Sequence, residues 1–159
     1  MLFVDQNDEQ ALKQALAEQP KLVLVESPSN PLLRVVDIAK ICQLARDAGA
    51  ISVVDNTFLS PALQNPLALG ADLVLHSCTK YLNGHSDVVA GVVIAKDPEV
   101  VTELAWWANN IGVTAGAFDS YLLLRGIRTL SPRMDVAQRN AQAIVDFLKT
   151  QPLVKKLYH

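Results

Sequence analysis

Three short runs, at 21–26, 51–55 and 72–76, hold adjacent apolar residues (22–25, 53–54 and 73–75) in place of polar alternation, and stretches with helical periodicity lie between them. A strand with one wet face alternates apolar and polar residues. A run that stays apolar throughout belongs to a strand buried on both faces, which is the habit of parallel sheets joined by crossover helices. The pattern therefore predicts an α/β fold of three layers, a mostly parallel sheet with helices on both faces.

Local signals mark the intervening helices. Asn7 is placed to cap a helix running to Glu18, and Asp37 to cap one with Ile38, Ile41, Leu44, Ala45 and Ala48 on one face, ended by Gly49. Asn65-Pro66 predicts a short helix that stops at Gly70. A fourth strand is expected over 88–95, interrupted by Gly91, followed by helices near 97–110, 116–129 and 134–149. The domain reading is a partial core at 1–130, with 131–159 as a helix leading toward a further C-terminal domain.

Composition narrows the function. The net charge is −2 and no basic run occurs, so binding to nucleic acid or an anionic membrane has no electrostatic basis. No apolar run is long enough to span a bilayer. Two cysteines, Cys42 and Cys78, are too few for a secreted disulfide framework, and no signal peptide is visible, so a cytoplasmic protein is expected.

In a parallel sheet, ligands bind beyond the carboxyl ends of the strands. Asn30, Asp55 and Lys80 fall there at intervals of about 25 residues, one strand–helix–strand step each, accompanied by Thr57, Ser77 and Thr79. These residue types meet the needs of pyridoxal phosphate. An amine (Lys80) holds the cofactor aldehyde, and a carboxylate (Asp55) faces the pyridine nitrogen and keeps it protonated. Hydroxyls (Ser77 and Thr79) cradle the phosphate. An amide (Asn30) donates to the phenolic oxygen, and Thr57 packs under the ring.

The residues alone leave other readings open. A lysine after Ser-x-Thr is more often a solvated surface residue, and an aspartate after an apolar strand is often a cap or turn residue. The chain's opening followed by a helix also suits a phosphoacceptor receiver domain with Asp55 as acceptor, although the expected acidic pair is only Asp5-Gln6. A nucleotide-binding Rossmann unit lacks its glycine-rich first turn. No metal-ligand spacing occurs among the histidines and cysteines. His76 reads as a packed histidine, His85 as a loop-ordering one and Cys78 as a small packed residue. One of Trp106 and Trp107 is expected to pack inward and the other to meet a neighbouring subunit or domain. Arg125, Arg128 and Arg133 read as surface or subunit contacts.

The stretch at 72–86, Asp-Leu-Val-Leu-His-Ser-Cys-Thr-Lys-Tyr-Leu-Asn-Gly-His-Ser, resembles the pyridoxal-phosphate attachment signature of the Cys/Met-metabolism enzyme family. Glu-Ser-Pro-Ser-Asn-Pro at 26–31 and Val-Val-Asp-Asn-Thr-Phe at 53–58 resemble its two upstream motifs, in the same order and spacing. The resemblance extends to Trp-Trp-Ala-Asn-Asn at 106–110 and Leu-Leu-Leu-Arg-Gly at 122–126.

The resemblance implies an incomplete large domain of the type I pyridoxal-phosphate transferase fold, in a homotetramer built from dimers. It implies small amino-acid substrates and gamma-replacement chemistry joining O-succinylhomoserine and cysteine into cystathionine and succinate. Lys80 would act twice, first on the cofactor and then as a proton shuttle at the substrate's Cα and Cβ. Related gamma-lyase, beta-lyase and homoserine sulfhydrylase activities share this core. It further implies segments not present here: an aromatic ring that stacks on the cofactor, a Tyr and an Arg from a neighbouring subunit, and a later arginine for the substrate carboxylate. The expectation is therefore a piece of a protein more than twice as long, which alone binds the cofactor weakly and does not turn over.

Overall fold

The structure, a computed structural model, describes residues 1–159. Its elements are α1 (Glu9–Ala17), β1 (Leu22–Glu26), α2 (Ile38–Asp47), β2 (Ile51–Asp55), α3 (Ser60–Leu63), β3 (Leu73–Ser77), a π-helical turn (Cys78–Leu82), β4 (Gly91–Ala95), α4 (Pro98–Ile111), α5 (Ala117–Ile127) and α6 (Leu130–Lys149). The strands form one sheet in the order β1-β2-β3-β4. β1, β2 and β3 run parallel, and β4 returns antiparallel to β3. The α/β class and the mostly parallel sheet are those expected from the apolar runs.

The core lies where α1 and α2 cover one sheet face. Val25 and Val54 are wholly buried there, against Ile38, Ile41, Cys42 and Ala45. Burying a valine of this kind stabilises the fold by roughly 1.5–3 kcal/mol. The opposite face is more open, with Leu22, Leu24 and Ile51 each about half exposed (51%, 57% and 48%). A second, smaller cluster joins Cys78 and Leu82 of the π turn to Leu130 and Met134 of α6. The parallel register is pinned at the amino end of the sheet. There Ser52 donates to Asp72 Oδ2 through both N–H (2.8 Å) and hydroxyl (2.7 Å), and the hydroxyl accepts the Asp72 N–H at 3.0 Å.

Several boundaries differ from the sequence expectations. The cap of α1 is Asp8, not Asn7: its carboxylate accepts the N–H groups of Gln10 and Ala11, and a negative charge suits the positive end of a helix better than an amide does. Asn7 instead donates its N–H to Asp5. Asp37 does cap α2, and Gly49 follows its end with φ +72°. No helix opens at Asn65-Pro66, where consecutive tight turns lead to Gly70; the helix sits earlier, at α3, with Pro61 in its first turn. Gly91 opens β4 rather than interrupting it. Helix α6 begins at Leu130, not 134, because Pro132 falls in the first turn, where its missing N–H has no intrahelical partner to lose. Neither Trp106 nor Trp107 packs inward. Both are about half exposed and meet edge to face, ring centroids 4.9 Å apart. No helix is long and apolar enough to cross a membrane.

Candidate cofactor site

The parallel register sets two carboxylates side by side, Glu26 at the end of β1 opposite Asp55 at the end of β2. β3 ends at Ser77, and the π turn that follows carries Lys80. The backbone of Lys80 departs from helical geometry (φ −92°, ψ −129°) within that turn. Past these strand ends opens a cavity of about 1150 Å³, lined among others by Asn30, Asp55, Thr57, Ser77, Thr79 and Lys80. All six residues singled out from the sequence thus share one cavity.

The loop after β1 is held in place before Asn30 is reached. The Ser27 hydroxyl accepts the Val36 N–H at 3.1 Å, and Gln64 donates to the Ser27 carbonyl at 2.8 Å. Glu26 Oε1 accepts the Asn30 N–H at 3.3 Å, so the loop folds back on the strand that starts it. The Asn30 side-chain amide makes no hydrogen bond within the chain and remains available to a ligand.

Asp55 is half-buried. Its Oδ1 accepts the Thr57 N–H at 2.9 Å, a short local turn, and its Oδ2 is left uncommitted. The Thr57 hydroxyl accepts the Ser77 N–H at 2.7 Å, tying the end of β2 to the end of β3. Thr79 is more occupied than its sequence position suggests. Its hydroxyl accepts the Ala90 N–H at 3.2 Å and lies 3.4 Å from the Ala90 carbonyl, so it staples the π turn to the start of β4. The Ser77 hydroxyl has no partner in the chain, and Lys80 forms no ion pair.

Beneath this floor, on the sheet face shared with Val54 and Val74, His76 is buried and its Nδ1 lacks a partner. Burial pushes its pKa below the usual histidine value, with the Asp55 charge pulling the other way. His85 orders the loop after the π turn, its Nδ1 lying 2.7 Å from the Asn83 carbonyl. The Cys78 thiol is fully buried and burial raises its pKa, a state opposed to that of a nucleophile.

Other cavity residues escape a strand-end reading. Glu26 is visible only through the register with Asp55. Tyr81 of the π turn and Asp87 of the loop after it also line the cavity. Arg133 is more engaged within the chain than the expected surface or subunit contact. It lines the cavity from α6, and its guanidinium is spent on acceptors within the chain. Arg125 lies over the Tyr121 ring, 6.0 Å from its centroid.

The free groups fit pyridoxal phosphate. That molecule asks for an amine at its aldehyde, a carboxylate at its ring nitrogen, an N–H donor at its phenolic oxygen and hydroxyl donors at its phosphate. The cavity offers the Lys80 amine, Asp55 Oδ2, the Asn30 amide and the Ser77 hydroxyl, each uncommitted. No cluster of His, Cys, Asp and Glu could hold a metal ion.

Comparison with known proteins agrees with the donor set. The chain is 89% identical over 159 residues to cystathionine gamma-synthase of Escherichia coli (strain K12), covering all of this chain and 41% of that protein. It is 49% identical over 157 residues to cystathionine beta-lyase of Lactococcus lactis subsp. cremoris, again covering 41% of the relative. Among solved structures, that of cystathionine gamma synthase from Xanthomonas oryzae pv. oryzae in complex with aminoacrylate and cysteine superposes with a TM-score of 0.95 at 54% identity. The match covers 98% of this chain and 40% of that one. The chain thus spans about two fifths of the length of these relatives. The receiver-domain reading gains no support: Asp55 shares its cavity with Lys80 and Asn30, and the relatives are of another class. The family model described as Cys/Met metabolism PLP-dependent enzyme matches residues 1–159, the whole chain, and to that family the chain belongs.

Proposed function

We propose that this chain supplies the lysine-bearing half of a pyridoxal-phosphate site for gamma-replacement, in which O-succinylhomoserine and cysteine give cystathionine and succinate. The observation that carries the reading is the convergence of Asn30, Asp55 and Lys80 on one cavity. The 89% identity to a cystathionine gamma-synthase favours synthesis over the lyase activities of relatives at 49% and below. The alternatives on the same core are gamma-lyase, beta-lyase and homoserine sulfhydrylase activities. The proposed setting is a cytoplasmic homotetramer, with residues 1–130 as cofactor core and 131–159 leading toward a further domain.

Pyridoxal phosphate, when bound, supplies a ring that draws electrons from the substrate carbons. The rest falls to the side chains. Asp55 Oδ2 holds a proton at the pyridine nitrogen, and the Thr57 N–H on Oδ1 keeps that carboxylate from turning away. Asn30 donates to the phenolic oxygen from a loop fixed by Glu26 and Ser27. Ser77 donates to the phosphate, while Thr79 holds the turn that delivers its neighbour Lys80. The Lys80 amine would hold the cofactor aldehyde and would move protons at substrate Cα and Cβ. Over the whole reaction the bond from Cγ to the succinyl oxygen breaks and one from Cγ to the cysteine sulfur forms.

Mixing the chain with pyridoxal phosphate, reducing with borohydride and weighing the digest tests the site. A pyridoxyl adduct is expected on the Lys80 peptide and none from Lys80→Ala. An adduct spread over surface lysines would refute the assignment. Substituting the chain for its counterpart in the Escherichia coli enzyme tests the reaction. Cystathionine formation should survive, and a chimera that binds cofactor but only cleaves cystathionine would overturn the synthase reading.

A further inference from the structure

Arg133 sits on α6, 52 residues beyond Tyr81, yet its guanidinium reaches into the lysine turn. Nη1 donates to the Tyr81 carbonyl at 2.8 Å, Nη2 to the Gly126 carbonyl at 2.8 Å, and Nε to the Thr129 hydroxyl at 3.1 Å. The planar fork is thus engaged along three directions, and the acceptors belong to three segments: the π turn, the last turn of α5, and the junction into α6. A lysine, with one point of charge, has no equivalent geometry.

Two glycines make room for this arrangement. Gly84, with φ +73°, lies against the Arg133 guanidinium so closely that a β-carbon there would overlap it. Gly126 lies against the Asn83 main chain, where a β-carbon would overlap backbone that cannot swing aside. The end of α5 therefore seats directly on the exit of the lysine turn, and Arg133 bolts the two together. The need for a bolt comes from Lys80 itself. Its non-helical backbone interrupts the turn, and the carbonyl of the next residue, Tyr81, finds its donor outside the turn in Arg133.

We propose that Arg133 is a positioning residue for Lys80, fixing the direction in which the amine leaves the turn. The inference rests on the reading that Lys80 holds pyridoxal phosphate, but the clamp can be measured without cofactor. In Arg133→Met, and in Arg133→Lys, which keeps the charge but loses the fork, amide exchange at Asn83 and Gly84 should quicken about tenfold. These N–H groups bond to Cys78 O and Lys80 O at 3.0 and 2.8 Å. Exchange in the core at Val25 and Val54 should not change, which separates loosening of the turn from general loss of stability. With cofactor present, borohydride-trapped labelling of Lys80 should slow about tenfold or more, as expected for a displaced reactive group, and the visible circular dichroism of bound cofactor should shrink. Arg128→Met, at an exposed arginine whose side chain makes no hydrogen bond in the chain, should do neither. Unchanged exchange at Asn83 and Gly84 in either folded variant, or labelling and dichroism equal to the unmodified chain, would overturn the proposal. If the unmodified chain is never labelled at Lys80, the cofactor reading fails, and the exchange data still decide the clamp.

Discussion

Replacing Thr57 by valine tests how the two strand ends are tied. The side chains have nearly the same shape, so the change isolates the hydroxyl that accepts the Ser77 N–H at 2.7 Å. A neutral hydrogen bond contributes about 1 kcal/mol net, and a donor stripped of its partner costs roughly 1–3 kcal/mol when water cannot replace it. Thr57 and Ser77 are both half-buried, so water reaches the site in part, and a loss of about 1.5 kcal/mol follows. For a chain of this length that lowers Tm by roughly 3–6 °C. Thr57→Ser keeps the oxygen and should recover most of the difference. Urea unfolding followed by far-UV circular dichroism, with unchanged m-values, reads the effect directly. If Thr57→Val is as stable as the unmodified chain, or if Thr57→Ser falls equally far, the hydroxyl does not tie β2 to β3 and the account of the site floor is wrong.

Gly126→Ala should be more damaging than a gain in helix propensity of about 1 kcal/mol would suggest, since the new methyl overlaps the Asn83 backbone. A net loss of about 2 kcal/mol is expected in thermal or urea unfolding, and a neutral or stabilising effect would show that α5 does not seat on the lysine turn. His76 offers a pH test. Its folded-state pKa is lowered below the ordinary 6.5, so protonation favours the unfolded chain. Stability should be complete above that value and decline as pH falls through it toward the folded-state pKa. Proton NMR should give a His76 midpoint below 6.5, and a midpoint at or above it would contradict the burial described here.

The sheet and half of the site could be read from the chain because both depend on local chemistry. Val25, Val54 and Val74 sit among adjacent apolar residues, and strand ends in a parallel sheet converge, so Asn30, Asp55 and Lys80 could be gathered from spacing and residue type. The departures came from tertiary context. Nothing in the 88–95 run says that it pairs antiparallel to β3; that follows from the 78–90 connection, which holds no crossover helix. The Thr57 hydroxyl is on a backbone N–H of the adjacent strand end, and Thr79's is on Ala90, partnerships across 20 and 11 residues that no local pattern encodes. Helical spacing alone places Arg133 among surface or subunit contacts. Its true surroundings depend on where α5 ends and on two glycines that admit it.

The antiparallel return of β4 also bears on how fast the amine can move. The 78–90 excursion leaves and rejoins the sheet on neighbouring strands, and the N–H groups of Cys78 and Thr79 both point at the Ala90 carbonyl. A segment hinged to the sheet at both ends is not a lid, and opening it would break strand pairing on the microsecond-to-millisecond scale of collective motions. The root of Lys80 is therefore held in place. In the role proposed for it, the amine would travel between one substrate carbon and the next by the torsions of its own four-carbon stem, which reorient in picoseconds to nanoseconds.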